Sequence, residues 1–265
     1  MTDPNTNSQK KINSRHLIHC ITHPIAIADM ANIVLTMGCS PIMAEHPEEV
    51  AQITSGASAL LLNLGNISDT RIESMKISIS IARKRNIPIL LDIVGVSAST
   101  FRLKLAYELL EDSPICLIKG NYSELISLAS GKSTTKGVDT SHREIHSTIK
   151  SMLKVKNRAN FILATGEKDI LIHEDNAHII SGGDKKMSQI TGTGCMLGAV
   201  LASSIANDKS LEATIHSLST YLNAGEQAAK NSIGPGSFRV SLFDSLSFFY
   251  NNPKEVDIRC EKISI

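Results

Sequence analysis

The chain has 265 residues, 42% of them apolar, with no Trp and with 27 Lys and Arg against 26 Asp and Glu. That length and apolar fraction suit one large α/β domain, and the charge balance gives no electrostatic reason to expect nucleic acid or an anionic membrane as partner. No apolar run approaches the roughly 20 residues that span a bilayer. The five cysteines, Cys20, Cys39, Cys116, Cys195 and Cys260, are scattered and form no C-x-x-C pair, which argues against a zinc site or a disulfide framework. A reducing, cytoplasmic setting is expected.

Residues 1–14 are polar, lack the apolar middle of a secretory signal, and read as a disordered tail ahead of a single domain at 15–265. Short apolar runs then recur, each ending in a polar or glycine-bearing turn. They are 17–21 before Thr22-His23-Pro24, 59–64 before Gly65-Asn66, 89–91 before Asp92, 115–118 before Lys119-Gly120-Asn121, and 161–164 before Thr165-Gly166. Runs this short, without alternation, suit strands buried on both faces. Between them, 70–85 carries Ile72, Met75, Ile79 and Ala82 at helical spacing, and 100–111 carries Leu103, Leu105, Leu109 and Leu110 behind a Ser99 cap. A hairpin is expected at 170–173 and 177–180, around Glu174-Asp175-Asn176, and helices at 195–206, 211–229 and 237–251. Strand–helix alternation predicts an α/β fold with a largely parallel central sheet flanked by helices on both faces. Ligands of open α/β sheets bind beyond the carboxyl ends of the strands. The turns at Asn66, Asp92, Asn121 and Thr165 are therefore expected to converge.

The segment richest in chemistry is Thr191-Gly192-Thr193-Gly194-Cys195, which runs straight into the apolar Met196-Leu197-Gly198-Ala199-Val200-Leu201. A glycine-rich turn at a helix start presents unpaired N–H groups and the positive end of the helix dipole, a natural anion site. No Gly-Lys-Ser/Thr follows, so it is not a Walker loop, and a bare G-x-G before a helix fits a simple capping turn equally well. Cys195 lies in the first turn, where its thiolate is expected to be favoured; a buried structural cysteine is the other reading. Asp92 and Glu124 are placed to organise a hydrated Mg²⁺ beside phosphates. Either could instead make a salt bridge or a cap, and Asn121 with Glu124 has the form of a capping box.

These segments resemble, in order, those of hydroxyethylthiazole kinases. Gly38-Cys39-Ser40-Pro41-Ile42-Met43-Ala44, with Glu48-Glu49-Val50 beyond it, is similar to the family's G-x-x-P-x-M-A and E-E-V segment. Leu62-Asn63-Leu64-Gly65-Asn66, Leu91-Asp92-Ile93-Val94-Gly95, Lys119-Gly120-Asn121-Tyr122-Ser123-Glu124, Lys136-Gly137-Val138-Asp139, Thr165-Gly166-Glu167-Lys168-Asp169 and Gly234-Pro235-Gly236-Ser237-Phe238 follow in family order. The likeness spans roughly residues 19–250. It implies a ribokinase-like fold and transfer of the ATP γ-phosphoryl to the primary hydroxyl of 4-methyl-5-(2-hydroxyethyl)thiazole, a step of thiamine salvage. It implies that Met43, Gly192 and His23 contact the thiazole, that Lys119, Thr165, Asn121 and Gly194 contact ATP, and that Asp92 and Glu124 hold Mg²⁺. It further implies that Cys195 stands where most ribokinase-like enzymes have the aspartate base of G-x-G-D, and that the chain forms a homotrimer with active sites between subunits.

The sequence departs from the family pattern at several points. Lys119 replaces a frequent Arg and loses bidentate phosphate geometry, Ile93 replaces a Pro, and Thr22-His23-Pro24 replaces an Asn-bearing turn. Other readings are a hydrate dehydratase of the same fold, a non-catalytic nucleotide-binding protein, and a cysteine hydrolase. The cysteine and the G-x-x-P-x-M-A loop disfavour the first, and the intact Asp92, Asn121 and Glu124 disfavour the second. The third lacks a partner His assignable from sequence.

Overall fold

The computed structural model describes residues 15–111, 114–133 and 142–264, so the tail and Lys136-Gly137-Val138-Asp139 lie outside the described residues. The strands are β1 (Leu17–Ile21), β2 (Ser40–Ile42), β3 (Ala59–Asn63), β4 (Ile89–Asp92), β5 (Ile115–Asn121), β6 (Ala159–Thr165), β7 (Lys168–His173), β8 (Asn176–Ser181) and β9 (Cys260–Ser264). The helices are α1 (Ile27–Thr36), α2 (Pro47–Ser55), α3 (Asp69–Lys84), α4 (Thr100–Leu109), α5 (Tyr122–Ser130), α6 (His142–Leu153), α7 (Thr193–Asn207), α8 (Leu211–Asn231) and α9 (Pro235–Asn251). Among the described residues the strands form one sheet in the order β2-β1-β3-β4-β5-β6-β7-β8-β9. From β2 to β6 the pairings are parallel, and from β6 to β9 antiparallel.

The non-alternating strand runs are explained by a core on each face. All five residues of β3 are buried, because Leu60 and Leu62 enter one hydrophobic cluster while Leu61 enters the other. Helices α1, α7, α8 and α9 cover the Leu61 face, and α2 to α6 the opposite face. Local capping marks the helix starts, at Ser99 and Asn121 where the sequence placed them and at Ser68 where it named no cap. Ser68 and Ser99 accept from the amides of Arg71 and Arg102, at 3.4 and 3.3 Å. Asn121 and Glu124 form a reciprocal capping box, and α5 ends on Gly131 in the left-handed region at φ 70°.

Two strands were not foreseen. β2 is a three-residue, half-buried edge strand that includes Pro41, and β9 adds a charged edge through Glu261 and Lys262. With β2 and β3 on opposite sides of β1, the direction of strand addition reverses there. That reversal opens a crevice over the carboxyl ends of the central strands.

Asp169, near the start of β7, is buried, and its Oδ1 accepts from the Gly166 amide at 3.0 Å. Burial pushes its carboxyl up to about 7, against the lowering pull of that amide and of Lys119. The unfolded chain ionises this group from about pH 3.8 upward, while the folded chain keeps the proton to about pH 7. Stability therefore falls as pH rises through that window, and the loss is complete above it.

Leu61→Ala is expected to cost about 2–5 kcal/mol in urea unfolding, since the site is walled by sheet and helix and cannot collapse. Asp169→Asn keeps an acceptor for Gly166. Its melting temperature should exceed the parent's at pH 8, with the gain fading toward pH 4; an equal gain at both pH values would show that the carboxyl does not titrate there.

Candidate active site

The crevice is built from successive strand ends. At the end of β4, Asp92 is wholly buried, and both its oxygens accept from the Lys119 ammonium on β5, each at 3.1 Å. Burial pushes the Asp92 carboxyl up to about 6, with the Lys119 charge opposing and Glu124 adding to the rise. For Lys119, burial alone acts downward, but Asp92, Cys195 and Glu124 together outweigh it and hold the amine above its ordinary value.

Asn63, the last residue of β3, ties this pair to the helix above. Its Oδ1 accepts from the Gly65 amide at 2.8 Å, which fixes the orientation of its amide. Its Nδ2 then donates to Asp92 Oδ2 at 3.2 Å and to Cys195 Sγ at 3.3 Å. On the other side of the sulfur, His23 Nε2 lies 3.4 Å away. A continuous row thus runs Lys119–Asp92–Asn63–Cys195–His23 across the ends of β5, β4, β3 and β1.

The start of α7 overlies this row. Gly192 adopts φ +88°, a left-handed conformation that disfavours any side chain, and no side chain caps the helix. The first-turn amides are therefore free of a side-chain partner and face the crevice with the positive end of the dipole. A Cβ on Gly194 would come 3.7 Å from Lys119 Nζ, and one on Gly192 would come 3.4 Å from Ala26, so the turn reaches both the lysine and the β1–α1 corner. The Thr193 hydroxyl donates back to Met187 O at 2.9 Å, and Tyr221 donates to Thr193 O at 2.8 Å, anchoring the turn. Gly198, one turn further on, packs over the pair, with Asp92 Oδ2 3.6 Å from where its Cβ would be, an ordinary contact distance.

Around this row stand the other expected residues. Met43 is half-buried against the core, and its loop is pinned from both sides. His19 Nε2 donates to Ala44 O at 3.0 Å, and Ser74 donates to Glu45 O at 2.7 Å. Glu124 accepts from the amides of Asn121 and Gly95, both at 2.7 Å, so the capping-box reading holds and the carboxylate is also tied to the turn after β4. The Thr165 hydroxyl donates to Gly120 O at 3.3 Å, at the far end of the crevice. Asn66 is exposed at φ 41° and makes no contact with the row, contrary to the expected convergence.

One expectation is reversed. The start of α7 does not favour the Cys195 thiolate. Burial, with Asp92 and Glu124 adding to it, pushes the thiol up to about 11 against the pull of Lys119 and Asn63. Sequence reasoning also missed two residues of the site. Asn63 was quoted only within a motif, although a lone amide in a run of leucines signals a buried polar group that needs partners. Arg71, buried on α3, donates to Thr22 O at 3.2 Å and so holds the corner that carries His23.

The hydroxyethylthiazole kinase family model matches residues 9–252. A hydroxyethylthiazole kinase from Finegoldia magna is 43% identical over 236 residues, covering 89% of this chain and 87% of that protein. The structure of a hydroxyethylthiazole kinase protein from Pyrococcus horikoshii OT3 superimposes with a TM-score of 0.85 at 28% identity, over 94% of each chain. A ribokinase-like superfamily protein from Enterococcus faecalis V583 shares the fold, with a TM-score of 0.68 at 11% identity over 92% of this chain and 91% of that one. The chain belongs to the hydroxyethylthiazole kinase family and has a ribokinase-like fold.

Proposed function

We propose that this protein transfers the γ-phosphoryl of ATP to the primary hydroxyl of 4-methyl-5-(2-hydroxyethyl)thiazole, as a cytoplasmic enzyme of thiamine salvage. The observation that carries the reading is the row from Lys119 to His23 lying under an uncapped helix start. Phosphoryl transfer asks for in-line positioning and charge stabilisation more than for covalent chemistry by the protein. The first-turn amides of α7 and the Lys119 ammonium supply fixed positive charge where negative charge gathers on the moving group. Gly194, Asn121 and Thr165 border the nucleotide side, while Met43, Gly192 and His23 border the alcohol side.

The donor set fits magnesium. A hydrated Mg²⁺ takes one or two carboxylates together with phosphate oxygens, and Asp92 and Glu124 are such a pair. No group of three or more His, Cys, Asp or Glu forms a metal cage among the described residues. When bound, the ion would clamp and partly neutralise the phosphates. Cys195 is the residue assigned to the attacking hydroxyl, in the place of the usual aspartate.

A homotrimer with active sites between subunits completes the reading. Its support is exposed apolar surface beside the crevice: Ile25, two residues from His23, is 62% exposed. No helix among the described residues is long and apolar enough to cross a membrane.

A coupled ADP-release assay with Mg-ATP and the thiazole alcohol, run against pyrimidine-alcohol and sugar controls, should show thiazole-dependent turnover. Turnover only with another alcohol would discard the substrate and keep the kinase. Cys195→Ala is expected to lower kcat by about 10²–10⁴, the usual worth of positioned proton transfer, with KM for the thiazole nearly unchanged. Light scattering should give three times the 28.6 kDa chain mass; a monomer that turns over would remove the trimer.

A further inference from the structure

The hydrogen bonds around Cys195 raise a question of proton accounting. Asn63 has its amide orientation fixed by Gly65, so it approaches the sulfur as a donor. The sulfur's own hydrogen then needs an acceptor, and among the described residues His23 Nε2 stands 3.4 Å from the sulfur. That arrangement selects the tautomer with hydrogen on Nδ1. His23 is buried, and its Nδ1 has no hydrogen-bond partner, a costly condition for a ring that only packs. The site also makes room for the ring: a Cβ on Gly65 would lie 2.4 Å from His23 Cδ2 and 2.9 Å from Nε2.

A neutral thiol accepts a proton very poorly, so Cys195 can serve the attacking alcohol only if it passes its own proton on. We propose that His23 is the terminal proton acceptor of the phosphoryl transfer, taking the Sγ proton of Cys195 at Nε2 as the thiol takes the proton of the attacking hydroxyl. The inference rests on the assignment of Cys195 to that hydroxyl. In the step the alcohol O–H bond breaks and an S–H bond forms, while the former S–H bond breaks and an N–H bond forms. The alcohol oxygen bonds to the γ-phosphorus, and the bond from that phosphorus to the bridging oxygen breaks, its electron pair leaving with ADP. The imidazolium afterwards gives its proton to solvent and the ring returns to neutral.

The ring is kept neutral between turnovers. Burial first, then the Arg71 guanidinium from α3 and that of Arg102 from α4, hold His23 below its ordinary value. Facing it from α7 is Cys195, and beyond the sulfur lie Asp92, Lys119 and Glu124.

The test compares kcat and KM of the parent, His23→Asn, His23→Gln and Cys195→Ala from pH 5 to 9 at saturating Mg-ATP. Neither amide titrates, and two shapes guard against one variant failing to fold. Titration of Asp92 affects the parent and both His23 variants alike and cancels in the ratio of parent to variant kcat. That ratio should stand at about 10–100 at pH 8, at or below the low end for proton-transfer groups, and shrink toward one at acid pH as the parent's imidazole protonates. KM for the thiazole should stay within about twofold. A ratio that does not change with pH, or a rise in KM with kcat intact, would overturn the proposal and leave His23 a packing or substrate-contact residue. Full kcat in Cys195→Ala would overturn both this inference and the assignment beneath it, whereas an impaired Cys195→Ala beside unimpaired His23 variants would overturn this inference alone.

Discussion

A lysine and an aspartate taken out of water at adjacent strand ends set the terms for everything around them. Desolvating two charges costs several kcal/mol each, and mutual attraction repays it only when the remaining hydrogen-bonding capacity is also met. Here both Asp92 oxygens accept from Lys119, and one also accepts from Asn63. Asn63 must in turn have its carbonyl oxygen satisfied, which Gly65 does from the next turn. The buried pair thus dictates the amide at the end of β3 and, through it, the donor that faces the cysteine. On α7, Gly198 lies over the same carboxylate, with Asp92 Oδ2 3.6 Å from where a Cβ would be.

The topology makes that concentration possible. Parallel strands buried on both faces deliver their carboxyl ends to one edge, and the reversal of strand order at β1 leaves a gap above them. α7 enters that gap end-on, so its unpaired amides meet the same space as Lys119. Donors therefore meet the crevice from two sides, one a side chain rising out of the sheet and the other the backbone descending on it.

Much of this was legible in the sequence, for identifiable reasons. The double-faced core leaves short continuous apolar runs, and the caps at Ser99 and Asn121 sit where their side chains meet local amides, so these elements could be read without tertiary knowledge. β2 was not legible because three residues including a proline carry no periodic signal, and β9 because its outward charges mask its pairing. Within the site, residues named by type and turn position were found. The partners that depend on strand adjacency were not: Asn63 beside Asp92, and His23 beside Cys195, lie 29 and 172 positions apart. The acidity of the cysteine was misjudged because a helix terminus is a local feature, whereas burial under the sheet edge is not.

The depth of that sulfur has a bearing on how the protein withstands its surroundings. Thiolate, not thiol, is the species that attacks peroxides, disulfides and alkylating agents. With a thiol pushed up to about 11, only about one molecule in ten thousand presents that species near neutral pH. A cysteine in the place of a carboxylate would ordinarily make an enzyme hostage to the redox state of the cell. Sunk under α7 beside Asp92, this one is held as the less reactive thiol.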